Sequence, residues 1–159
     1  MKKFLILTAI AGFIYACGGN SGGSNAEVKS GDASAPAADN SNPSYDPNRG
    51  VGKFTKVDVS PQLDAAMATS GNKVYDSKCA SCHKLTDERL VGPGWKDVTK
   101  RRTAEWIMNF ATNPDEMLSK DPEAMAQLEI CLVRMPNQNL TDDDARHVYE
   151  FMRRNDGIK

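Results

Sequence analysis

The segment CASCH, from Cys79 to His83, places two thiols and an imidazole within five residues. Such groups suit a zinc site, a dithiol redox pair, a structural disulfide or a covalently attached haem. A zinc site needs a fourth ligand, usually from a second close pair, and only Cys131 and His147 remain, singly and far apart. A thioredoxin-like redox pair would follow a strand in a βαβ unit, and the sequence shows no such pattern. A disulfide gives the histidine no role.

Covalent haem attachment accounts for the whole segment. Thiols two residues apart can each form a thioether with a haem vinyl group, and the histidine that follows is then directed at the iron. The sequence therefore predicts one haem c, bound through Cys79 and Cys82, with His83 as an axial ligand of the iron.

The second axial ligand decides between electron transfer and catalysis. Met135 stands in RMPNQNLT, where Pro136 ends a predicted helix and the polar residues after it allow a loop to cross the haem face. Met117, between predicted helices, and His147, within one, are rivals. The remaining methionines outside the amino-terminal segment are expected in helices or too close to the haem motif: Met67, Met108, Met125 and Met152. We expect Met135 to be the ligand.

The first seventeen residues, MKKFLILTAIAGFIYAC, have a basic start and then an apolar run from residue 4 to residue 16. This run of about 13 residues is too short for a bilayer span, which needs about 20, and is typical of a secretion signal. Its end, IYAC, resembles the cleavage box of bacterial lipoproteins, in which the cysteine receives the lipid. Residues 1–17 are thus predicted to be a signal peptide that ends at lipidated Cys17. Tyr15 departs from the small residue usual there, so simple secretion remains open.

A tether is predicted to follow, over residues 18–52, because 25 of the 33 residues from 18 to 50 are Gly, Ser, Ala, Asn or Pro. The folded domain is predicted over residues 53–159. The chain carries 20 basic and 21 acidic side chains and shows no clustered basic excess, which argues against nucleic-acid binding.

Helical signals dominate the folded part and predict an all-α domain. One helix is expected from residue 65 into the CASCH motif, with a possible first turn at Ser60 and Pro61. Three others are expected to begin at N-cap residues Thr103, Asp121 and Thr141. They should end before Pro114, near Val133 and after Arg154, respectively.

The order of these features resembles the monohaem class I c-type cytochromes over residues 65 to 155. The features are a helix with Gly71 and Tyr75 before CASCH, then VGP, a tryptophan-bearing helix, MPNQNLT, and a closing helix with Tyr149 and Phe151. The resemblance implies a small all-α fold of about four helices around one covalent haem. It also implies that the Pro93 carbonyl accepts a hydrogen bond from His83, and that the first and last helices cross at Gly71 near Tyr149 or Phe151.

Other side chains are assigned to the haem surroundings. We expect Trp106 to pack in the haem pocket. Arginine or indole N–H groups could bind the haem propionates, with Trp95, Arg101 and Arg102 as further candidates. Cys131, left without a partner, is expected to be a small core residue.

A haem iron with histidine and methionine ligands has no open position, which indicates a one-electron carrier rather than an enzyme. The resemblance implies a monomer in a respiratory chain, between a quinol-oxidising complex and a terminal oxidase or a copper-containing reductase of nitrogen oxides. The lipid would hold it at the membrane of a bacterial cell envelope, facing the periplasm. Two alternatives remain: a haem enzyme or gas sensor with a displaceable sixth ligand, and a fixed subunit of a larger oxidoreductase.

Overall fold

Six α-helices and no strand form residues 45–159, the part of the chain that the computed structural model describes. The predicted signal peptide, Cys17 and residues 18–44 of the predicted tether lie outside the described residues. The all-α prediction is confirmed. Within the described range, none of the helices is both long and apolar enough to span a membrane. The helices are α1 Ala65–Val74, α2 Val98–Arg101, α3 Ala104–Thr112, α4 Pro114–Lys120, α5 Pro122–Cys131 and α6 Asp142–Asn155.

The three predicted N-caps are confirmed. Thr103 Oγ1 accepts a hydrogen bond from Trp106 N, and Asp121 Oδ1 accepts one from the third residue of α5. Thr141 and Asp144 form a reciprocal capping box at the start of α6. Local side-chain chemistry therefore determines where these helices begin.

Helix α1 begins where the sequence predicts, at Ala65, but the additional turn before it is not formed. Asp64 Oδ1 accepts hydrogen bonds from Ala66 N and Met67 N, so the helix begins at Ala65. The first turn expected at Ser60 and Pro61 is absent, because both carbonyls there accept hydrogen bonds from Arg153. Helix α1 then widens into a π-helical turn over Tyr75–Cys79, in which Ala80 N donates to Tyr75 O at 2.9 Å. Such turns often occur at functional sites.

Pro114 both follows α3 and begins α4. Proline suits the first position of a helix, since its missing N–H is not needed there. Met117, expected in a connecting stretch, is instead a fully buried residue of α4, so that prediction is wrong. Helix α5 ends at Cys131 rather than near Val133, because Leu132 takes a left-handed conformation with φ of 59°.

The first and last helices cross at Gly71, as the family resemblance implied. A Cβ atom at this position would overlap the carbonyl group of His147 and lie 2.9 Å from Phe151 Cβ. The nearest neighbours are thus the His147 backbone and Phe151, which is one of the two residues that the resemblance named. The absent side chain lets the two backbones meet.

Residues 45–52, here named the amino-terminal strap, pack against the helices. Asn109 Nδ2 donates to Arg49 O at 2.9 Å, and Tyr45 Oη donates to Asp121 Oδ2 at 2.7 Å. Gly50 has φ of 63°, and a Cβ atom there would lie 2.6 Å from Met117 Cε. The predicted boundary at residue 52 is therefore wrong, and the folded part begins at residue 45 at the latest.

Candidate haem site

The π-helical turn at the end of α1 presents the CASCH motif. The amides of Cys82 and His83 both donate to the carbonyl of Cys79, at 3.0 and 2.9 Å, which curls the motif into a tight turn. The two thiols are not joined in a disulfide. Burial raises the pKa of the Cys79 thiol to about 11.

The motif borders an apolar crevice made of two adjoining chambers. Cys79 lines the first chamber and Cys82 lines the second. The residues that line both chambers are His83, Pro93, Phe110, Gln127 and Met135. The two thiols and the imidazole therefore open onto one shared space.

The ring of His83 is held on several sides. Its Nδ1 lies 2.9 Å from the carbonyl oxygen of Pro93, and its ring centroid lies 5.3 Å from that of Trp95. Tyr75 Oη donates to the carbonyl of His83 at 2.8 Å. Burial lowers the pKa of His83, although the hydrogen bond to Pro93 opposes this shift. Nδ1–H directed at a carbonyl leaves Nε2 with the free lone pair that a metal ligand needs.

Gly92 makes room for this ring. A Cβ atom at Gly92 would overlap His83 Cε1 and lie 2.8 Å from Nδ1 and 2.9 Å from Nε2. The turn before Pro93 thus needs a residue without a side chain. Gly92 leaves space for the His83 ring, and Pro93 supplies the carbonyl that accepts its hydrogen bond.

Met135 lines both chambers from the segment between α5 and α6. Lys78 Nζ donates to the carbonyl of Gln138 at 3.0 Å, which ties this segment to the turn that carries Cys79. Arg134 pairs with Asp115 of α4 at 3.3 Å on the other side. The structure therefore brings the predicted iron ligands His83 and Met135 to one crevice; their roles as ligands remain predictions.

The rival ligands are placed differently. Met117 is fully buried, and its Sδ accepts a hydrogen bond from Val51 N at 3.1 Å. His147 is not among the residues that line either chamber. Met152 does line the first chamber, from within α6. Met67, Met108 and Met125 line neither chamber.

Trp106 lines the first chamber, but its indole N–H group already donates a hydrogen bond elsewhere. Nε1 donates to Asp121 Oδ2 at 3.2 Å, and the Arg102 guanidinium lies 4.7 Å from the indole centroid. Arg102 also pairs with Glu123 at 2.5 Å, and Arg101 donates to the Lys96 carbonyl at 3.0 Å. Both arginines border the first chamber. Their binding to the haem propionates stays a prediction.

Some lining residues were not predicted from the sequence. Phe110 follows Trp106 by four residues on α3, and this helical spacing of two aromatic residues is the signal that could have identified it. Gln127 carries no such signal, because a polar residue on a helix is ordinarily exposed. Cys131 was expected in the core, but it is only half-buried and lines the second chamber. That prediction is wrong, since α5 ends at this residue.

The donor set fits a haem. Two thiols, an imidazole and a thioether surround an apolar crevice, which is the chemistry of a covalent haem with two axial ligands. In residues 45–159, no three His, Cys, Asp or Glu side chains are grouped as a metal site would require, so the zinc alternative has no ligand set there.

Comparisons with known proteins agree with this chemistry. The family model described as Cytochrome c matches residues 68–156. A cytochrome c from Rhodothermus marinus is 34% identical, covers 66% of this chain and 90% of its own, and has a TM-score of 0.64. An engineered form of that cytochrome, Rma TDE, is 32% identical over 70% of this chain and 98% of its own, with a TM-score of 0.66. The search of curated proteins found no match.

Proposed function

The chain belongs to the cytochrome c family and binds one haem c covalently, and on this basis we propose that it carries single electrons in a respiratory chain. The donor would be a quinol-oxidising complex, and the acceptor a terminal oxidase or a copper-containing reductase of nitrogen oxides. Family membership and the solved relatives support haem-based electron transfer, while the pathway is our proposal.

One observation carries the proposal: His83 and Met135 line the same crevice from different parts of the chain. The haem supplies reversible one-electron chemistry at its iron. The residues of the chain hold the group, orient the His83 ring through the Pro93 carbonyl, and exclude water with apolar walls. If His83 and Met135 both bound the iron, no position would be left for a substrate, and little would need to move on reduction.

The visible spectrum of the oxidised protein tests this assignment through the far-red band of iron–thioether coordination. We expect the band in the natural protein and its loss in Met135→Ala. Met152→Leu is the matched control, because Met152 also lines the first chamber and leucine keeps its approximate volume. A natural protein without the band, or a Met135→Ala protein that keeps it, would overturn the assignment.

A haem enzyme or gas sensor is the second candidate. The observation that favours it is the solved relative in which Rma TDE is bound to a carbene intermediate, 33% identical over 70% of this chain and 98% of its own, with a TM-score of 0.64. In this chain, such a role would require Met135 to leave the iron. Addition of carbon monoxide to the reduced protein separates the two: a carrier keeps its spectrum, and a sensor does not.

The proposed location is the bacterial cell envelope, with the domain facing the periplasm and a lipid on Cys17 as the membrane attachment. The basic start, the apolar run and the IYAC box support this. We expect Cys17→Ser to move the protein from the membrane fraction to the soluble fraction, with the far-red band unchanged. If the variant stays with membranes after a salt wash, the lipid is not the attachment.

Stable co-purification with a larger oxidoreductase would instead favour the alternative in which the protein is a fixed subunit of that enzyme.

A further inference from the structure

Asp121, the N-cap of α5, is a fully buried carboxylate whose second oxygen, Oδ2, has a hydrogen-bond partner that lines the crevice, Trp106. Oδ1 accepts a hydrogen bond from Ala124 N at 2.8 Å and so caps α5. Oδ2 accepts two more, from Tyr45 Oη at 2.7 Å and from Trp106 Nε1 at 3.2 Å. These three donors provide hydrogen bonds to both oxygens of a carboxylate that has no contact with solvent. A cap alone would need only the first of them.

The indole of Trp106 separates this charge from the crevice. Trp106 donates to Asp121 through Nε1 while its ring lines the first chamber, so one side chain stands between the carboxylate and the haem space. The hydrogen bond holds the Nε1 edge of the indole against the carboxylate. Charges interact strongly across a buried, poorly solvated layer of this kind.

The amino-terminal strap closes the other side of the carboxylate. Gly50 lies so close that a Cβ atom there would be 3.0 Å from Asp121 Oδ2, and Tyr45 supplies the third donor. The strap thus shields a buried carboxylate beside the haem space.

We propose that Asp121, held by Trp106 and Tyr45, is a positioning residue that lowers the reduction potential of the haem. A buried negative charge favours the ferric over the ferrous form, because reduction adds an electron to the haem. The inference rests on the haem lying against Trp106, and it does not depend on which partners exchange electrons with the protein.

Spectroelectrochemical titration of the full-length haem protein tests it. We expect Asp121→Asn to increase the equilibrium constant for haem reduction about tenfold. This corresponds to a rise of about 59 mV in the reduction potential for one electron. Glu129→Gln is the matched control, since it removes the same charge from an exposed position on the same helix and should shift the equilibrium less than about threefold. An unchanged or lower potential in Asp121→Asn, with the far-red band intact, would overturn the proposal.

Tyr45→Phe tests the strap and keeps the proposal falsifiable if Asp121→Asn fails to fold. Loss of the Tyr45 hydroxyl removes one hydrogen-bond donor and leaves the carboxylate charge less compensated. The reduction potential should therefore fall, and the equilibrium constant for reduction should decrease about threefold. A charge effect should raise the reduction potential in Asp121→Asn and lower it in Tyr45→Phe. A general loosening of the crevice would instead shift both potentials in the same direction. If the potential of Tyr45→Phe equals that of the natural protein, the strap has no such role.

Discussion

At the scale of single residues, the axial histidine depends on a backbone position that carries no side chain. Gly92 lies against the His83 ring, and Pro93, the next residue, supplies the carbonyl that accepts from Nδ1. The ring orientation is therefore set by the short GP turn rather than by the CASCH motif itself. Groups that orient a metal ligand in this way also tune the metal.

Gly92→Ala should consequently reduce haem incorporation severalfold. The added Cβ would lie 2.8 Å from His83 Nδ1, so either the ring or the turn has to move. Haem covalently bound per protein chain, together with the far-red band, measures the effect. Gly157→Ala is the control: it adds a side chain at φ of 90° with nothing within 4 Å, which costs stability but leaves the crevice untouched. A Gly92→Ala protein with full haem and an unshifted band would contradict the argument.

At the scale of the elements, the carboxyl end of α5 contains a strained residue. Leu132 has φ of 59° and is 84% exposed, at the helix end where glycine is usual. Its amide still donates to the carbonyl of Leu128 at 2.8 Å, so the cap geometry is complete. The cost lies in the left-handed backbone conformation, which is unfavourable for a residue with a Cβ atom, and the exposed leucine side chain gains almost no burial that could offset it.

Leu132→Gly should raise the free energy of unfolding by about 0.5–1 kcal/mol, because glycine adopts the left-handed conformation without the penalty of a Cβ atom. Chemical denaturation of the haem protein measures the change. Leu132→Ala is the matched control, since it removes the leucine side chain but keeps the Cβ, and it should bring no gain. Equal stabilisation by both variants would show that the exposed side chain, and not the backbone conformation, carries the cost.

The elements also show what could be predicted from the sequence. The caps at Thr103, Asp121 and Thr141 were predictable because each depends on neighbours within four residues. Helix α4 was missed because Pro114 suits both the end of one helix and the start of the next. The strap was missed because its polar backbone is satisfied by Asn109, a contact between positions 60 residues apart, for which local composition carries no signal.

At the scale of the whole molecule, exposed apolar side chains gather where the second chamber of the crevice opens. Val91 and Val133 line that chamber and are also exposed, and Arg89 donates to the carbonyl of Ile130 and so joins the two segments. Patches of this kind mark interaction surfaces on soluble proteins. The exposed members of this patch are Leu90, Val91, Ile130, Leu132 and Val133. Because the patch continues into the chamber that holds Cys82, we expect electrons to cross here.

Electron self-exchange between two copies of the protein, measured by nuclear magnetic resonance, tests that expectation without an identified partner. If two copies meet through the same face, Val133→Glu places the new charge in the contact twice, and the exchange rate should fall about tenfold through like-charge repulsion and desolvation. Met125→Glu is the matched control, because Met125 is also an exposed apolar residue but lines neither chamber. An equal loss of rate in both variants would mean that net charge governs the encounter. Slowing confined to Val133→Glu, with the far-red band unchanged, would mean that the electron leaves beside Cys82.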